Sequence, residues 1–329
     1  NVVGNGRKIA RTTLLEAKLS KNIAGVTIGR QCGAGIEAVT YACRMIQANA
    51  GEIYIAGGVE STSRSPWKIK RPQSVYESDV PNFFERASFA PDGEDPSMIE
   101  AAENVAQVYQ VSREAQDEFA YSSHQKTIAA IEQGHISHEI LPVKVRNEWI
   151  DRDESIKPRL NLKTLSRLKP LIKDGTVTVG NSCMKNDGAV LLLIMSKEKA
   201  VSLGYHEGLE FVDSVVKGVD PNILGIGPVP AIEQLLKKRD LSINQIDGIE
   251  FNEAFSSQVL ASKEMLNIPD DKFNIYGGAL AIGHPYSASG AQLITRLFHM
   301  KHIDTSIATM GIGGGMGHAA LFKRWNGSH

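Results

Sequence analysis

The stretch Val26-Thr-Ile-Gly-Arg-Gln-Cys-Gly-Ala-Gly35 is a short β-branched run that breaks at glycines, with a helical pattern beginning directly after the sulfur. The spacing predicts an extended segment over residues 26–28, a helix over 36–47 and a second extended segment over 52–56 that ends at Gly57-Gly58. That order is a βαβ unit and sets the class as α/β. A thiol at a strand-to-helix turn lies near the positive end of the helix dipole, which can pull its pKa below about 8.5 and populate the thiolate. Gly33 and Gly35 would clear space for an acyl group. The same position also suits a buried, inert cysteine on a βα connection.

The chain has 329 residues, 42% of them hydrophobic and 22% charged, enough for one or two sizeable cores and an expected two domains. A formal net charge of −1 argues against wholesale nucleic-acid binding, so any anionic ligand must be met locally. Three cysteines, Cys32, Cys43 and Cys183, make no disulfide framework and no Cys-x-x-Cys metal site, and a reducing cytoplasm is the expected home. No apolar run approaches the roughly 20 residues needed to span a bilayer, and no signal sequence opens the chain. Asn1-Val-Val-Gly4 reads as a strand end entering a turn, and with no initiator methionine a missing amino-terminal piece is expected.

Outward from the cysteine, residues 9–19 form a short amphipathic segment, and Cys43 falls inside the helix as a small core residue. From 61 to about 156, prolines, aromatics and charges cluster before helical signals take over at 101–109 and 113–133. So long an excursion should carry its own helices and cover a site. Ser112-Arg-Glu-Ala-Gln116 resembles a helix start, and Lys68-Ile-Lys-Arg71 reads as a solvated face. Core structure resumes with a strand over 176–179 and a buried segment over 189–195, separated by Gly180-Asn-Ser-Cys-Met-Lys-Asn-Asp-Gly188. Strands are then expected at 211–216, 246–251 and 306–309, with helices at 230–236, 255–266 and 288–300. Two α/β halves of similar rhythm suggest an internal duplication.

Three segments carry chemistry. In Gly277-Gly-Ala-Leu-Ala-Ile-Gly-His-Pro285, glycines precede His284 and a proline stiffens the turn after it. A neutral histidine held there is a good general base. Asn252-Glu-Ala-Phe255 ends a strand with polar groups, where open α/β sheets place ligand contacts, and its amide could hold a water or an oxyanion. It is also an ordinary helix start. Gly311-Ile-Gly-Gly-Gly-Met-Gly317 exposes backbone N–H groups that could cradle an anion, although its spacing is no dinucleotide fingerprint and a plain glycine turn would read the same.

Together these segments resemble the thiolase family along essentially the whole chain. The resemblance rests on Gln31-Cys-Gly-Ala-Gly35, Ala102-Glu-Asn-Val-Ala106, Asp174-Gly-Thr-Val-Thr178, Asn186-Asp-Gly188, Gly225-Ile-Gly-Pro-Val-Pro230, Asn252-Glu-Ala-Phe255, the Gly277 motif and the carboxy-terminal glycine loop. It implies a five-layered α-β-α-β-α core of two similar halves, 1–203 and 204–329, with residues of about 61–156 as an inserted, mainly helical loop domain that binds coenzyme A. It implies a homodimer or homotetramer, with coenzyme A entering as substrate rather than as a tightly bound cofactor. By the same resemblance Cys32 is the acyl-accepting nucleophile, His284 its base, and Asn252 holds a water that with His284 forms one oxyanion hole. The backbone N–H groups of Cys32 and Gly313 form the other, and such donors are often the largest catalytic term.

Departures from the family pattern are equally specific. The second cysteine of the family, which shuttles the proton for the carbon–carbon step, aligns with Gly311. A positioned acid or base contributes about 10²- to 10⁴-fold, so a conventional cycle is expected to be slowed while acyl transfer to Cys32 survives. Cys183, beside Ser182, stands where the family has a serine that contacts coenzyme A, and a thiol is the poorer hydrogen-bond partner. Met98-Ile-Glu-Ala101 replaces the family's Met-Gly-x-Thr beside the expected acyl pocket. Lys157, Arg159, Arg167 and Lys169 lie where family members contact the nucleotide. The family's first strand and helix, and most of a second strand, have no counterpart in this chain. The expected function is an acyl-CoA acyltransferase; the alternatives are a decarboxylative condensing enzyme, in which CO₂ loss makes the carbanion, and a coenzyme-A-binding subunit without turnover.

Overall fold

A computed structural model describes residues 8–70, 72, 74, 76, 83, 88–91 and 93–327. The expected strand end at residues 1–4, and Arg71 of the basic run, lie outside the described residues. The helices are α1 (Ile9–Glu16), α2 (Ala34–Gln47), α3 (Met98–Val108), α4 (Arg113–Glu132), α5 (Leu162–Leu165), α6 (Lys197–Ser202), α7 (Pro228–Arg239), α8 (Ser256–Met265), α9 (Ala279–Ile282) and α10 (Ser289–His299). The strands are β1 (Ile53–Glu60), β2 (Val143–Val145), β3 (Glu148–Ile150), β4 (Gly188–Met195), β5 (Gly208–Gly218), β6 (Gly248–Phe251), β7 (Thr305–Ile312) and β8 (Met316–Trp325).

Four strands form a sheet in the order β5-β8-β7-β6, with β6 and β7 parallel and the other pairs antiparallel. Side chains of a strand alternate between faces, and β7 and β8 show it cleanly. Ile307, Ala319 and Leu321 join a core with Val229, Ile232 and Leu235 of α7 and Val259 of α8. Their neighbours Ala308, Met310, Ala320 and Phe322 turn to the other face, against Ile36 and Val39 of α2 and Ile294 and Leu297 of α10. Beyond α2 and α10 lies the antiparallel pair β1-β4, whose Ala56 belongs to the same core. The described residues therefore build a β-α-β-α stack, four of the five layers that the resemblance implies. The outer face of β1-β4 leaves Ile55, Leu191 and Leu193 exposed.

Several local expectations change. Residues 26–28 are not a strand: Val26 is exposed, and among the described residues no strand runs beside it. An extended segment becomes a strand only by pairing. Residues 176–179 also miss the sheet, because the Glu103 carboxylate takes the Thr176 and Val177 N–H groups that a neighbouring strand would otherwise accept. The apolar run at 189–195 is half-buried on one face and exposed on the other. Gly57 and Gly58 do not end β1 but continue it, since a Cβ on Gly57 would overlap the Val190 carbonyl and one on Gly58 the Ser287 carbonyl. These glycines serve close approach rather than a turn. The excursion carries α3, α4 and the β2-β3 hairpin; α3 begins in a Ser97–Glu100 capping box and α4 on the Ser112 cap. Lys68 and Lys70 are exposed.

Candidate active site

Cys32 sits in a 3₁₀ turn, Gln31–Gly33, that runs directly into α2, and Gln31 enters it with φ of 50°, a left-handed conformation that non-glycine residues rarely adopt. Such strain is maintained where the surroundings over-determine it. Two glycines of the motif have roles other than those expected. Gly33 receives the Ile312 side chain from the glycine loop, and Gly35 receives the Ser287 carbonyl, so they make room for other motifs of the chain rather than for an acyl group. The thiol is not acidified either. Burial pushes Cys32 up to about 12, opposed by its own backbone N–H and reinforced by the nearby Glu60 carboxylate. Desolvation of a thiolate here outweighs the helix terminus. The residue remains partly exposed. Cys43, in α2, likewise has its thiol pushed up to about 12 by burial and packs against the core.

A thiol held protonated needs a base. His284 is buried, and its Nδ1 lies 2.6 Å from the Ser289 hydroxyl at the start of α10. Its Nε2 lies 3.5 Å from Asn252 Nδ2. Asn252 Nδ2, the amide nitrogen, can only donate, so Nε2 accepts and the ring proton sits on Nδ1, donated to Ser289. Burial lowers His284 to about 4, so the ring is neutral and its lone pair faces the site. Asn252 extends from the end of β6, with its backbone N–H bonded to Thr309 of β7. Residues 182–185 run between the two arms: Ser182 bridges Phe255, the Cys183 N–H donates to the Ala254 carbonyl, and the His284 N–H donates to the Met184 carbonyl. These contacts fix Cys183, and burial, with a charge on Cys32, raises its thiol to about 12.

The glycine loop is the turn of a hairpin whose second arm, β8, carries no strong signal in the sequence reading. Ile312 pairs with Met316, and Gly314 and Gly315 turn the corner with φ of 85° and 78°. Phe89 of the excursion lies over Gly313, 3.3 Å from where a Cβ would stand, so the excursion reaches the site. A Cβ at Gly311 would stand 2.5 Å from Gln258 Nε2, so the Gln258 amide fills the place of a side chain at 311.

Lys157 and Arg159 line an open cavity of about 400 Å³ with Pro158, Leu160 and Thr164. Arg167 and Lys169, also exposed, do not line it. The cavity is tied to the His284 turn through Ser155, whose hydroxyl accepts from Asn186, and Asn186 packs on Gly283. The Ser182 hydroxyl donates to the Thr178 carbonyl, and Met98 opens α3. Cys32, His284, Asn252, Cys183 and the glycine hairpin are thus brought together, whereas Lys157 and Arg159 form a separate group.

Three residues that the sequence reading passed over belong to the site. Ser289 orients His284, and a hydroxyl five residues after the base was its signal. Tyr286, two residues after His284, sets its ring edge-on to the imidazole at 5.4 Å and 86°. Glu253, taken with Asn252 as a polar strand end, braces the site from behind by accepting from Ser123 of α4, Asn274 and the Leu280 N–H. Burial raises its carboxyl above the usual range.

Comparison with known proteins places this geometry. Residues 1–198 match the family model described as Thiolase, N-terminal domain, and residues 208–324 match Thiolase, C-terminal domain. The chain is 65% identical over 328 residues to a Staphylococcus epidermidis protein described as "Putative acetyl-CoA C-acetyltransferase VraB", covering 100% of this chain and 86% of that protein. A Staphylococcus aureus protein of the same description is 63% identical over 325 residues, covering 99% and 86%. The crystal structure of the Bacillus anthracis acetyl-CoA acetyltransferase superposes with a TM-score of 0.91 at 36% identity, over 97% of this chain and 83% of that one. That of human mitochondrial 3-ketoacyl-CoA thiolase in complex with CoA gives 0.91 at 32% identity, over 98% and 84%. On the family models, the relatives and the fold alike, the chain belongs to the thiolase family.

Proposed function

We propose that this chain is an acyltransferase that carries an acyl group from a coenzyme A thioester, of the acetyl-CoA, acetoacetyl-CoA or 3-ketoacyl-CoA type, on Cys32. The observation that carries the reading is the buried, neutral His284, whose Nδ1 is engaged by Ser289 while Nε2 faces Asn252. The Cys32 proton passes to Nε2 as sulfur adds to the thioester carbonyl, so the high thiol pKa is met by transfer during attack rather than by a standing thiolate. Asn252, a water and the backbone N–H groups of Cys32 and Gly313 are the proposed oxyanion donors.

Coenzyme A is proposed to lie with its nucleotide toward Lys157 and Arg159 and its thiol end past Ser182 and Cys183, with Met98 near the acyl pocket. Relatives described as acetyl-CoA C-acetyltransferases and a neighbour solved with CoA support that substrate class. A homodimer or homotetramer in a reducing cytoplasm is part of the same proposal, and no helix among the described residues is long and apolar enough to cross a membrane. Gly311 favours a second reading, decarboxylative condensation, which malonyl-CoA offered against acetyl-CoA as donor separates from the first.

Acetyl exchange between acetyl-CoA and isotopically labelled CoA tests the main reading. The native chain should exchange, and Cys32→Ser and His284→Ala should lose exchange. Undiminished exchange by Cys32→Ser would overturn the assignment of the nucleophile.

A further inference from the structure

The site holds a second weak acid besides its thiols. Tyr286 follows His284-Pro285, adopts φ of 27° and presents its ring edge to the imidazole. The next residue fixes the turn: the Ser287 carbonyl lies against both Gly35 of the Cys32 motif and Gly58 of β1, and the Ser287 hydroxyl donates to Glu60. Tyr286 therefore enters the site on a clamped segment, one residue before the Ser287 carbonyl that lies against Gly35, itself three residues after Cys32. Burial opposes its ionisation, as would charge on Cys32, Cys183 or Glu60, so the phenol stays protonated at neutral pH. The place where the family keeps its proton-shuttling cysteine is filled by the Gln258 amide, which has no proton of useful acidity.

We propose that Tyr286 supplies the proton of the carbon–carbon step in place of a side chain at Gly311; the proposal rests on the acyl-Cys32 reading above. In cleavage, the Cys32 sulfur bonds to the keto carbon of a 3-ketoacyl-CoA, and the thiol proton moves to His284 Nε2. The bond from that carbon to the α-carbon then breaks. The α-carbon leaves with the electron pair and takes the phenolic proton, releasing acetyl-CoA. The imidazolium returns its proton to the phenolate, and Cys32 keeps the acyl group. The net change is one thiol hydrogen moved to the new methyl group, with no oxidant or reductant. A neutral phenol is the donor in cleavage, and by microscopic reversibility its phenolate is the base in condensation.

The experiment uses the full chain with acetoacetyl-CoA plus CoA, and Tyr286→Phe, which retains the ring against His284. Cleavage should fall about 10²- to 10⁴-fold in kcat with KM little changed, while acetyl exchange between acetyl-CoA and CoA is retained because it makes no carbon–carbon bond. Tyr286→Phe combined with Gly311→Cys should recover cleavage, since a displaced Gln258 amide leaves room for the thiol. Unchanged cleavage by Tyr286→Phe overturns the proposal. A native chain that exchanges acetyl groups yet cleaves nothing overturns it too and leaves acyl transfer standing. Absence of exchange overturns the acyl-Cys32 reading itself.

Discussion

His284 Nδ1 and the Ser289 hydroxyl lie 2.6 Å apart, across the turn that joins the base to the start of α10. The contact holds the proton on Nδ1 and leaves Nε2 as acceptor, and it strengthens as the ring becomes an imidazolium. A hydrogen bond to a charged group contributes about 1.5–3 kcal/mol, so Ser289→Ala should slow acylation of Cys32 by about 10- to 100-fold. Single-turnover kinetics with acetyl-CoA measure this, and a thermal melt checks that the fold is unchanged.

The pH dependence follows from the sign of the His284 shift. A histidine serves as base when unprotonated, and burial lowers this one to about 4, while Cys32 is pushed up to about 12. The acylation rate should therefore be flat from about pH 5.5 to 8, without the rise near 6.5 that an ordinary histidine gives. A sigmoidal rise centred near 6.5 would show that the ring is solvated.

Gly58 and Gly33 differ in what a methyl group would meet. At Gly58 it overlaps the Ser287 carbonyl, a backbone atom of the turn that carries His284; at Gly33 it meets the end of the Ile312 side chain, which can rotate. Gly58→Ala should cost about 1–3 kcal/mol or more of stability and displace His284, whereas Gly33→Ala should cost less. Denaturant titration and acetyl exchange on both variants make the comparison.

Lys157 and Arg159 are exposed on the cavity wall, so the proposed contacts with a nucleotide phosphate would be screened by solvent. Removing either should raise KM for acetyl-CoA by about 3- to 10-fold and leave kcat nearly unchanged, with the difference shrinking at high salt. A fall in kcat at constant KM would place the two residues elsewhere in the cycle.

Cys32, His284 and the Asn252 arm are legible in the sequence as candidates because each sits in a short motif whose glycines, proline or strand end constrain the backbone locally. What those glycines accommodate is not local. Gly35 and Gly58 are both shaped by the carbonyl of Ser287, more than 200 residues away in the chain, and only the packed structure reveals it. The direction of the Cys32 shift is hidden from the sequence for a related reason, since the helix terminus is visible in the pattern while the desolvating surroundings come from several segments. Residues 26–28 carry strand-forming side chains but have no partner among the described residues, and 176–179 give their N–H groups to Glu103. β8 carries a weak signal because its Met316–Trp325 run follows four glycines and mixes His318, Lys323 and Arg324 with apolar residues.

The most direct test of Cys32 as acyl carrier is intact-mass analysis of the chain under saturating acetyl-CoA, followed by peptide mapping. One acetyl group on Cys32, absent in His284→Ala and discharged by added CoA, is the expected result. No adduct on Cys32, or an acetyl group carried on Cys43 or Cys183 instead, would contradict the account.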